Sequence, residues 1–212
     1  MLVGLYGGTF DPVHLGHTHA ALAVARALDL SEVRMVLAAR PGHRGEPASS
    51  IADRWAMLEL GCAAHARLVP DDIELRREGE SYTVATLEAV RAADPAAAPC
   101  WIMGQDAFAT LPIWHRWREL LDHGNLVVVD RPGDQREEPP EVAALVSRHE
   151  RETLRPDSVG QIVRLEMPML EVSASDIRRR VAAGQSVAHL LAGPVNTYIR
   201  EHGLYRSEED PI

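Results

Sequence analysis

Two histidines and a glycine pair lie close together in the string GGTFDPVHLGH, residues 7–17, which we call the histidine loop. His14 and His17 are three residues apart at the predicted opening of a helix, so both rings are expected on the same side. A helix N-terminus favours an anion, and two imidazole donors beside it make a compact site for a triphosphate. The alternative is that both histidines are ordinary surface residues.

The beginning of the histidine loop is suited to contact phosphate through its backbone. Gly7 and Gly8 let the chain approach a ligand closely, and the N–H groups near Thr9 and Phe10 can cradle an anion. A glycine pair alone is more often only a turn between a strand and a helix. The complete string favours the phosphate site.

A second string with suitable chemistry is VSASDIR, residues 172–178, which we call the serine–arginine segment. Ser173 and Ser175 can cap a helix and can also bond phosphate oxygens. Arg178, one turn into that helix, can reach a phosphate through its forked guanidinium. The alternative is a capping serine ahead of a solvated basic face, which is how we interpret Arg179 and Arg180.

The basic residues restrict the possible chemistry. The sequence contains no lysine, so all 22 basic residues are arginine. A lysine Schiff base, a lysine nucleophile and the P-loop lysine are therefore excluded. Any phosphate clamp must use arginine, histidine and backbone N–H groups.

Short apolar runs alternate with segments of helical periodicity, which predicts an α/β fold: a Rossmann-like, doubly wound parallel sheet with helices on both faces. The predicted strands are residues 2–6, 33–38, 68–69, 73–75, 100–103, 126–129 and 162–165. The predicted helices are residues 15–28, 55–64 (with Ser49-Ser50 and Asp53 as helix-start residues), 82–93 (opened by Ser81 as cap), 141–150, 175–183 and 194–202, with helical pieces near 106–111 and 116–121.

In such sheets, ligands bind beyond the carboxyl ends of the strands, at the point where strand order reverses. Four polar or flexible positions follow predicted strands directly: Gly8, His43, Gly104 and Arg131. We expect them at one edge of the sheet.

Composition excludes several classes of partner. The net charge of −9 argues against sequence-independent binding of nucleic acid, which needs a basic face. No apolar run approaches the roughly 20 residues of a membrane span, and the start lacks the features of a signal peptide, so no membrane partner and a cytoplasmic location are expected. Cys62 and Cys100 are expected to be buried free thiols. Residues 1–212 suit a single domain with a flexible acidic tail from about residue 206, and the oligomeric state is not indicated.

The histidine loop resembles the HxGH signature of a nucleotidyltransferase superfamily with a Rossmann-like fold, and the serine–arginine segment resembles that family's late signature. Further segments resemble bacterial nicotinate-nucleotide adenylyltransferases along nearly the whole chain: PGHR (41–44), SYT (81–83), MGQDAF (103–108), PIWHRW (112–117), DRPG (130–133) and the closing GLY (203–205). Two positions depart from that pattern. Ala38-Ala39 stands where an asparagine is frequent, and Arg44 stands where lysine is common.

The resemblance implies roles for individual residues. His14, His17 and Arg178 would be catalytic, stabilising charge on the phosphates as pyrophosphate leaves. ATP would contact Gly8, Thr9, Phe10, His17, His43, Arg44, Gly104, Asp106, Ser173, Ser175 and Arg178. The pyridine mononucleotide would contact Tyr82, Thr83, Trp114 and Arg131, with Trp114 stacked on the pyridine ring. Helical spacing alone would place Trp114 and Trp117 in the core.

The implied activity is transfer of AMP from ATP to nicotinate mononucleotide, which gives nicotinate adenine dinucleotide and pyrophosphate in NAD biosynthesis. The expected cofactor is Mg²⁺ carried by the ATP phosphates, with no metal site built by the protein, because no carboxylate cluster indicates one. The alternatives are another HxGH enzyme, with nicotinamide mononucleotide or phosphopantetheine as acceptor, or a nucleotide-binding module without catalysis.

Overall fold

The computed structural model describes residues 1–40, 46–131 and 138–206. The strands in this part of the chain are β1 (Leu2–Gly8), β2 (Val33–Leu37), β3 (Leu68–Asp71), β4 (Ala98–Gly104), β5 (Asn125–Asp130) and β6 (Ile162–Glu166). The α-helices are α1 (Leu15–Ala27), α2 (Ile51–Cys62), α3 (Thr83–Ala93), α4 (Gln105–Ala109), α5 (Leu120–His123), α6 (Pro140–His149), α7 (Ala174–Ala182) and α8 (Gly193–Glu201). Short 3₁₀ turns occupy Leu111–Ile113 and Trp117–Glu119.

The strands form one parallel sheet in the order β3-β2-β1-β4-β5-β6. Strand order reverses between β1 and β4, which pair directly, with Tyr6 opposite Ile102. This is the doubly wound Rossmann-like arrangement predicted from the sequence, and that prediction is confirmed.

Alternate residues of the central strands divide between two apolar cores. On β4, Cys100 and Ile102 point to the face that α1, α2, α7 and α8 cover. Trp101 and Met103 point to the opposite face, which α3, α4, α5 and α6 cover. The period of two along each strand therefore explains why these strands are apolar throughout and why the sheet is buried on both sides.

Residues 73–75 were predicted as a strand, and that prediction is wrong. The Asp71 carboxylate accepts a hydrogen bond from Ile73 N at 2.9 Å, and Asp72 O accepts from Leu75 N at 2.9 Å and from Arg76 N at 3.1 Å. The aspartate pair closes a helical turn directly after β3. Local side-chain bonding thus outcompetes the apolar pattern of this short run.

The predicted cap of α3 is also wrong. The N-cap residue is Tyr82, and the Ser81 hydroxyl instead accepts from Arg40 N at 3.1 Å, while Ser81 N donates to Arg40 O at 3.0 Å. A contact between distant parts of the chain has replaced the local capping bond.

The helical pieces predicted near residues 106–111 and 116–121 are present as short α-helices and 3₁₀ turns. Helix α4 ends at Ala109, and Arg116 has φ of 50°, in the left-handed region, so a helix cannot run through it. The other helices agree with their predictions to within a few residues, and α2 begins at Ile51 after the Ser50 cap, where Ser49-Ser50 and Asp53 predicted a helix start. Both cysteines are buried free thiols, as predicted. No helix in the described ranges combines the length and apolarity required to cross a bilayer.

Candidate active site

Strand order reverses between β1 and β4, and in doubly wound sheets the carboxyl ends of the strands at this point border a crevice. The chain leaves β1 for α1 on one face and leaves β4 for α4 on the other face. Gly8 and Gly104, both predicted as ATP contacts, are the last residues of these two strands. The structure therefore places them at the position where Rossmann-like sheets bind ligands.

Packing explains the glycine pair of the histidine loop. A Cβ on Gly7 would lie 2.3 Å from the ring of Trp101, and a Cβ on Gly8 would lie 2.8 Å from the ring of Phe10. The Phe10 ring is buried, and its backbone has φ of 48°. Among the predicted ATP contacts, Phe10 can therefore offer only its backbone, while its side chain fills the core beneath the loop.

His14 and His17 lie ring against ring. Their centroids are 3.6 Å apart with planes inclined by 21°, and His14 N donates to His17 Nδ1 at 3.2 Å. The edge of Phe10 supports the His17 ring at a centroid distance of 5.0 Å. The pair therefore sits at the opening of α1 on the same side, as its spacing predicts.

His14 is 7% exposed, and burial lowers its pKa to about 4. The ring is neutral near pH 7, because a buried site disfavours the imidazolium. Its buried Nδ1 has no hydrogen-bond partner among the described residues. An unpartnered polar atom of this kind is costly, and a ligand contact would relieve that cost.

The serine–arginine segment packs directly on the histidine loop. Ser173 caps α7 by accepting from Asp176 N at 3.2 Å, and its hydroxyl lies 3.2 Å from that of Ser175. Arg178 Nη1 donates to Asp11 O at 2.6 Å, across 167 residues of sequence. The contact is close also at Gly16, where a Cβ would lie only 2.7 Å from Val172 Cγ1. The two strings that the sequence singled out are therefore brought together.

Arg54 is a site residue that the sequence reasoning missed. Its side chain is 1% exposed and donates to Thr9 O at 3.0 Å, Ala38 O at 2.7 Å and Ala39 O at 3.0 Å. One guanidinium thus fixes the ends of β1 and β2. Ala38 and Ala39, which stand where the related sequences frequently have an asparagine, accept these hydrogen bonds through their backbone carbonyls. The available signal was an arginine one turn before Met57 and Leu58, on the buried face of α2.

Asp11 is the second residue that the sequence reasoning missed. Its carboxylate is buried and accepts from Ala48 N at 2.7 Å, Ser49 Oγ at 2.5 Å and Tyr205 Oη at 2.7 Å. Both oxygens are already used by donors of the protein, so this carboxylate is not available as a metal ligand. The contacts join the histidine loop to the chain before α2 and to the last described residues.

Asp106 lies at the β4 end of the crevice. It is exposed, and its Oδ1 lies 2.6 Å from the place a Cβ on Gly104 would occupy. Burial, reinforced by the charge of Asp106, raises the pKa of Tyr6 to about 12. Gln105, the residue before Asp106, forms side-chain hydrogen bonds of 3.0 Å to Glu138 and to Arg164. These bonds fix the start of α4.

Of the residues predicted to contact the mononucleotide, Tyr82, Thr83 and Trp114 lie on the face of the sheet that α3 and α4 cover. The Tyr82 and His115 rings stack with centroids 4.1 Å apart, and Thr83 is the first residue of α3. Trp114 is half-buried and donates from Nε1 to Thr110 Oγ1 at 3.3 Å, whereas Trp117 is buried in the core.

Arg131 follows β5, as predicted, and lies 3.8 Å from a carboxylate oxygen of Glu171, with both side chains largely exposed. It is therefore next to the serine–arginine segment. His43 and Arg44 lie outside the described residues.

One group of three metal-ligand side chains occurs in the described parts of the chain, and it contains no residue of the histidine loop or the serine–arginine segment: Glu88, Glu119 and His123. Arg116 already bonds both carboxylates. This cluster is a half-buried ion-pair network between α3 and α5.

Imidazoles and a guanidinium near a helix N-terminus are suited to bind a polyphosphate without supplying a nucleophile, and transfer of a nucleotidyl group requires such a site. The fold and the site together define a nucleotidyltransferase.

Comparison with known proteins gives the family. The model of the cytidylyltransferase-like family matches residues 5–180. A Pseudomonas fluorescens protein named "Probable nicotinate-nucleotide adenylyltransferase" is 45% identical over 209 residues, covering 97% of each chain. An Aeromonas salmonicida protein of the same name is 41% identical, covering 97% of this chain and 98% of its own. The chain belongs to the cytidylyltransferase-like family and, within it, to the nicotinate-nucleotide adenylyltransferases.

A solved structure supports the same fold. The Plasmodium falciparum nicotinic acid mononucleotide adenylyltransferase complexed with NaAD superposes with a TM-score of 0.74 at 14% identity, covering 96% of this chain and 97% of its own.

Proposed function

We propose that the protein transfers AMP from ATP to nicotinate mononucleotide, releasing pyrophosphate and forming nicotinate adenine dinucleotide. The observation that carries the proposal is the contact between Arg178 and Asp11, which joins the two phosphate-binding strings at the switch point. The names of relatives more than 40% identical over nearly the whole chain support the choice of acceptor.

The reaction needs positioning more than proton transfer. A 5′-phosphate oxygen of the mononucleotide bonds to the α-phosphorus of ATP as the bond from that phosphorus to the bridging oxygen breaks. The electron pair of the broken bond leaves with pyrophosphate. The attacking phosphate is already ionised near neutral pH, so no general base is required.

In this proposal the histidines and Arg178 have different duties. His14 is neutral, so it acts as a hydrogen-bonding group and adds no charge. Arg178 provides a permanent positive charge for the departing pyrophosphate, and the N-terminus of α1 adds its dipole. His17, Ser173 and Ser175 contact the phosphates, with His43 and Arg44 as further predicted contacts.

Different groups of residues bind the two substrates. Gly104 and Asp106 hold the adenosine, while Tyr82, Thr83, Trp114 and Arg131 hold the pyridine mononucleotide. A half-buried Trp114 offers an indole face for stacking, and Arg131 attracts an acidic ligand.

We propose that Mg²⁺ accompanies the ATP phosphates and is not held in a cage of protein ligands. The donor set fits this proposal, since the Asp11 carboxylate is fully bonded within the protein. When bound, the ion neutralises phosphate charge. We place the activity in the cytoplasm, where ATP is available.

The test is direct measurement of products with purified protein. ATP and Mg²⁺ are mixed with nicotinate mononucleotide, nicotinamide mononucleotide or phosphopantetheine, and pyrophosphate and the adenylylated product are quantified. We expect kcat/KM for the nicotinate compound to exceed that for the amide by about tenfold or more, because replacing the carboxylate removes a charge-assisted hydrogen bond worth at least about 1.4 kcal/mol. Equal use of the amide would contradict the acceptor assignment, and binding of ATP without pyrophosphate release would favour the non-catalytic module.

A further inference from the structure

We propose that Asp11 and Tyr205 are positioning residues for ATP: the Tyr205 hydroxyl fastens the Asp11 side chain, and Asp11 holds Arg178 at the phosphates. This inference rests on the proposed function, because it assigns how the same phosphate site is kept in shape.

Asp11 connects three segments that are far apart in sequence. Its Oδ1 accepts from Ser49 Oγ at 2.5 Å and from Tyr205 Oη at 2.7 Å, and its Oδ2 accepts from Ala48 N at 2.7 Å. Its backbone carbonyl accepts from Arg178 Nη1 at 2.6 Å. The residue before Pro12 in the histidine loop is therefore the common anchor of these segments.

Burial makes these bonds directional and persistent. Asp11 is 4% exposed, and burial raises the pKa of Tyr205, so the phenol keeps its proton and remains a donor. Arg54 lies close enough for its charge to interact with both Asp11 and Tyr205. A buried carboxylate that loses one of its donors is poorly satisfied and rotates toward other partners.

The anchoring acts on ATP through Arg178. A guanidinium carries five N–H donors, and Nη1 is the atom bonded to Asp11, so further donors remain for phosphate oxygens. The Arg178 side chain is 33% exposed, compared with 71% for its neighbour Arg179. If Asp11 moves, the guanidinium loses its fixed direction and ATP binding weakens.

The chain contains a matched control for this network. Tyr198 Oη donates to Asp53 Oδ1 at 3.0 Å, and Ser50 Oγ donates to Asp53 Oδ2 at 2.6 Å. This is the same tyrosine–aspartate–serine chemistry between the C-terminal region and α2. It differs from the first network in making no bond to the histidine loop.

The experiment compares Tyr205→Phe with Tyr198→Phe. We measure the Kd of a non-hydrolysable ATP analogue by calorimetry, KM for both substrates, kcat and Tm. Tyr205→Phe should raise the Kd of the analogue and KM for ATP about 5- to 20-fold, which corresponds to about 1–1.8 kcal/mol and lies in the range for depriving a buried acceptor of one donor. KM for nicotinate mononucleotide should stay within about twofold, and Tyr198→Phe should change none of these constants by more than about twofold.

A double-mutant cycle tests whether Tyr205 acts through Asp11. Asp11→Asn should weaken analogue binding more than Tyr205→Phe, and adding Tyr205→Phe to it should weaken binding little further. Fully additive effects, or equal effects of Tyr205→Phe and Tyr198→Phe on the analogue, would overturn the proposal. If Tyr205→Phe fails to fold, Ser49→Ala removes another Asp11 donor and must raise the analogue Kd in the same way. Because analogue binding is measured without an acceptor, this outcome is independent of whether the wild-type protein uses nicotinate mononucleotide.

Discussion

His14 combines a role in the predicted chemistry with an unusual environment. It is buried, stacked on His17, and has an Nδ1 without a partner in the described residues. The motif identified the residue, but its neutrality depends on packing that the sequence does not display. Both the protonation state and the cost of protonation follow from burial.

The depressed pKa of His14 predicts a pH-dependent stability. The unfolded chain binds a proton at His14 near pH 6.5 and the folded protein binds it only near pH 4, so stability present above pH 6.5 is lost as the pH falls toward 4. At pH 5 this loss is about 2 kcal/mol in the free energy of unfolding. Urea unfolding at pH 7 and pH 5 should therefore show a smaller drop for His14→Asn than for wild type. The control is His19→Asn on the same helix, and an identical drop in all three proteins would refute the prediction.

His17 is the second residue-scale test. His17→Ala should lower turnover about 100- to 1,000-fold, because it removes a donor from charge that develops in the transition state. The far-ultraviolet circular dichroism spectrum and Tm should remain close to those of the wild type. His19→Ala is the matched control, since His19 bonds the Pro168 carbonyl outside the site. Near-normal turnover of folded His17→Ala would remove His17 from the mechanism.

The limits of sequence reasoning are clear at this scale. His14, His17 and Arg178 were found because each stands in a short, recognisable string. Arg54, Asp11 and Tyr205 act through partners as far as 194 residues away, and no local pattern carries that information. Their partners become visible only when the fold is known.

At the scale of elements, the strands and most helices were predictable because their apolar periodicity agrees with their burial. The failures at residues 73–75 and at Ser81 have one cause: a polar side chain or backbone group found a better partner than the predicted one. The second helical piece begins only after Arg116, a left-handed residue that helical periodicity does not indicate. The switch point itself followed correctly from the alternation of strands and helices.

Gly7 gives a prediction about how β1 meets β4. Gly7→Ala should lower the free energy of unfolding by about 1–3 kcal/mol, because the added methyl group collides with Trp101 on the neighbouring strand. Chemical denaturation measures the change. Gly193→Ala is the control, since nothing lies within 4 Å of its Cβ position.

The same substitution in a second protein variant separates the collision with Trp101 from a general effect of replacing glycine by alanine. In a Trp101→Leu protein, Gly7→Ala should cost less than in the wild type, because the opposing ring is gone. An equal cost in both backgrounds would show that Trp101 is not the cause.

At the scale of the whole molecule, the first loop and the last described turn of the chain share one network. Tyr205 bonds Asp11, and Leu204 packs against the core on the α1 face. The C-terminal end is therefore part of the predicted phosphate site and of the core, and is more than a peripheral extension.

Shortening the chain tests this connection. A protein ending at Gly203 should lose several degrees of Tm and at least about tenfold in kcat/KM for ATP. The buried Asp11 carboxylate then lacks the Tyr205 donor, and the core lacks the Leu204 side chain. A protein ending at Arg206 retains both residues and is the control. Equal activity and stability of the two proteins would contradict the connection.

The bond between Tyr205 and Asp11 also has a consequence for biosynthesis. His14 and His17 leave the ribosome early, when most strands of the sheet have not yet been synthesised. Arg178 and Tyr205 follow all six strands in the sequence, so a nascent polypeptide carries an unfinished phosphate site until both residues have emerged. A polypeptide that ends before Arg178 lacks the guanidinium of the predicted phosphate site, whereas one that ends at Gly203 keeps it and is expected to retain part of the activity.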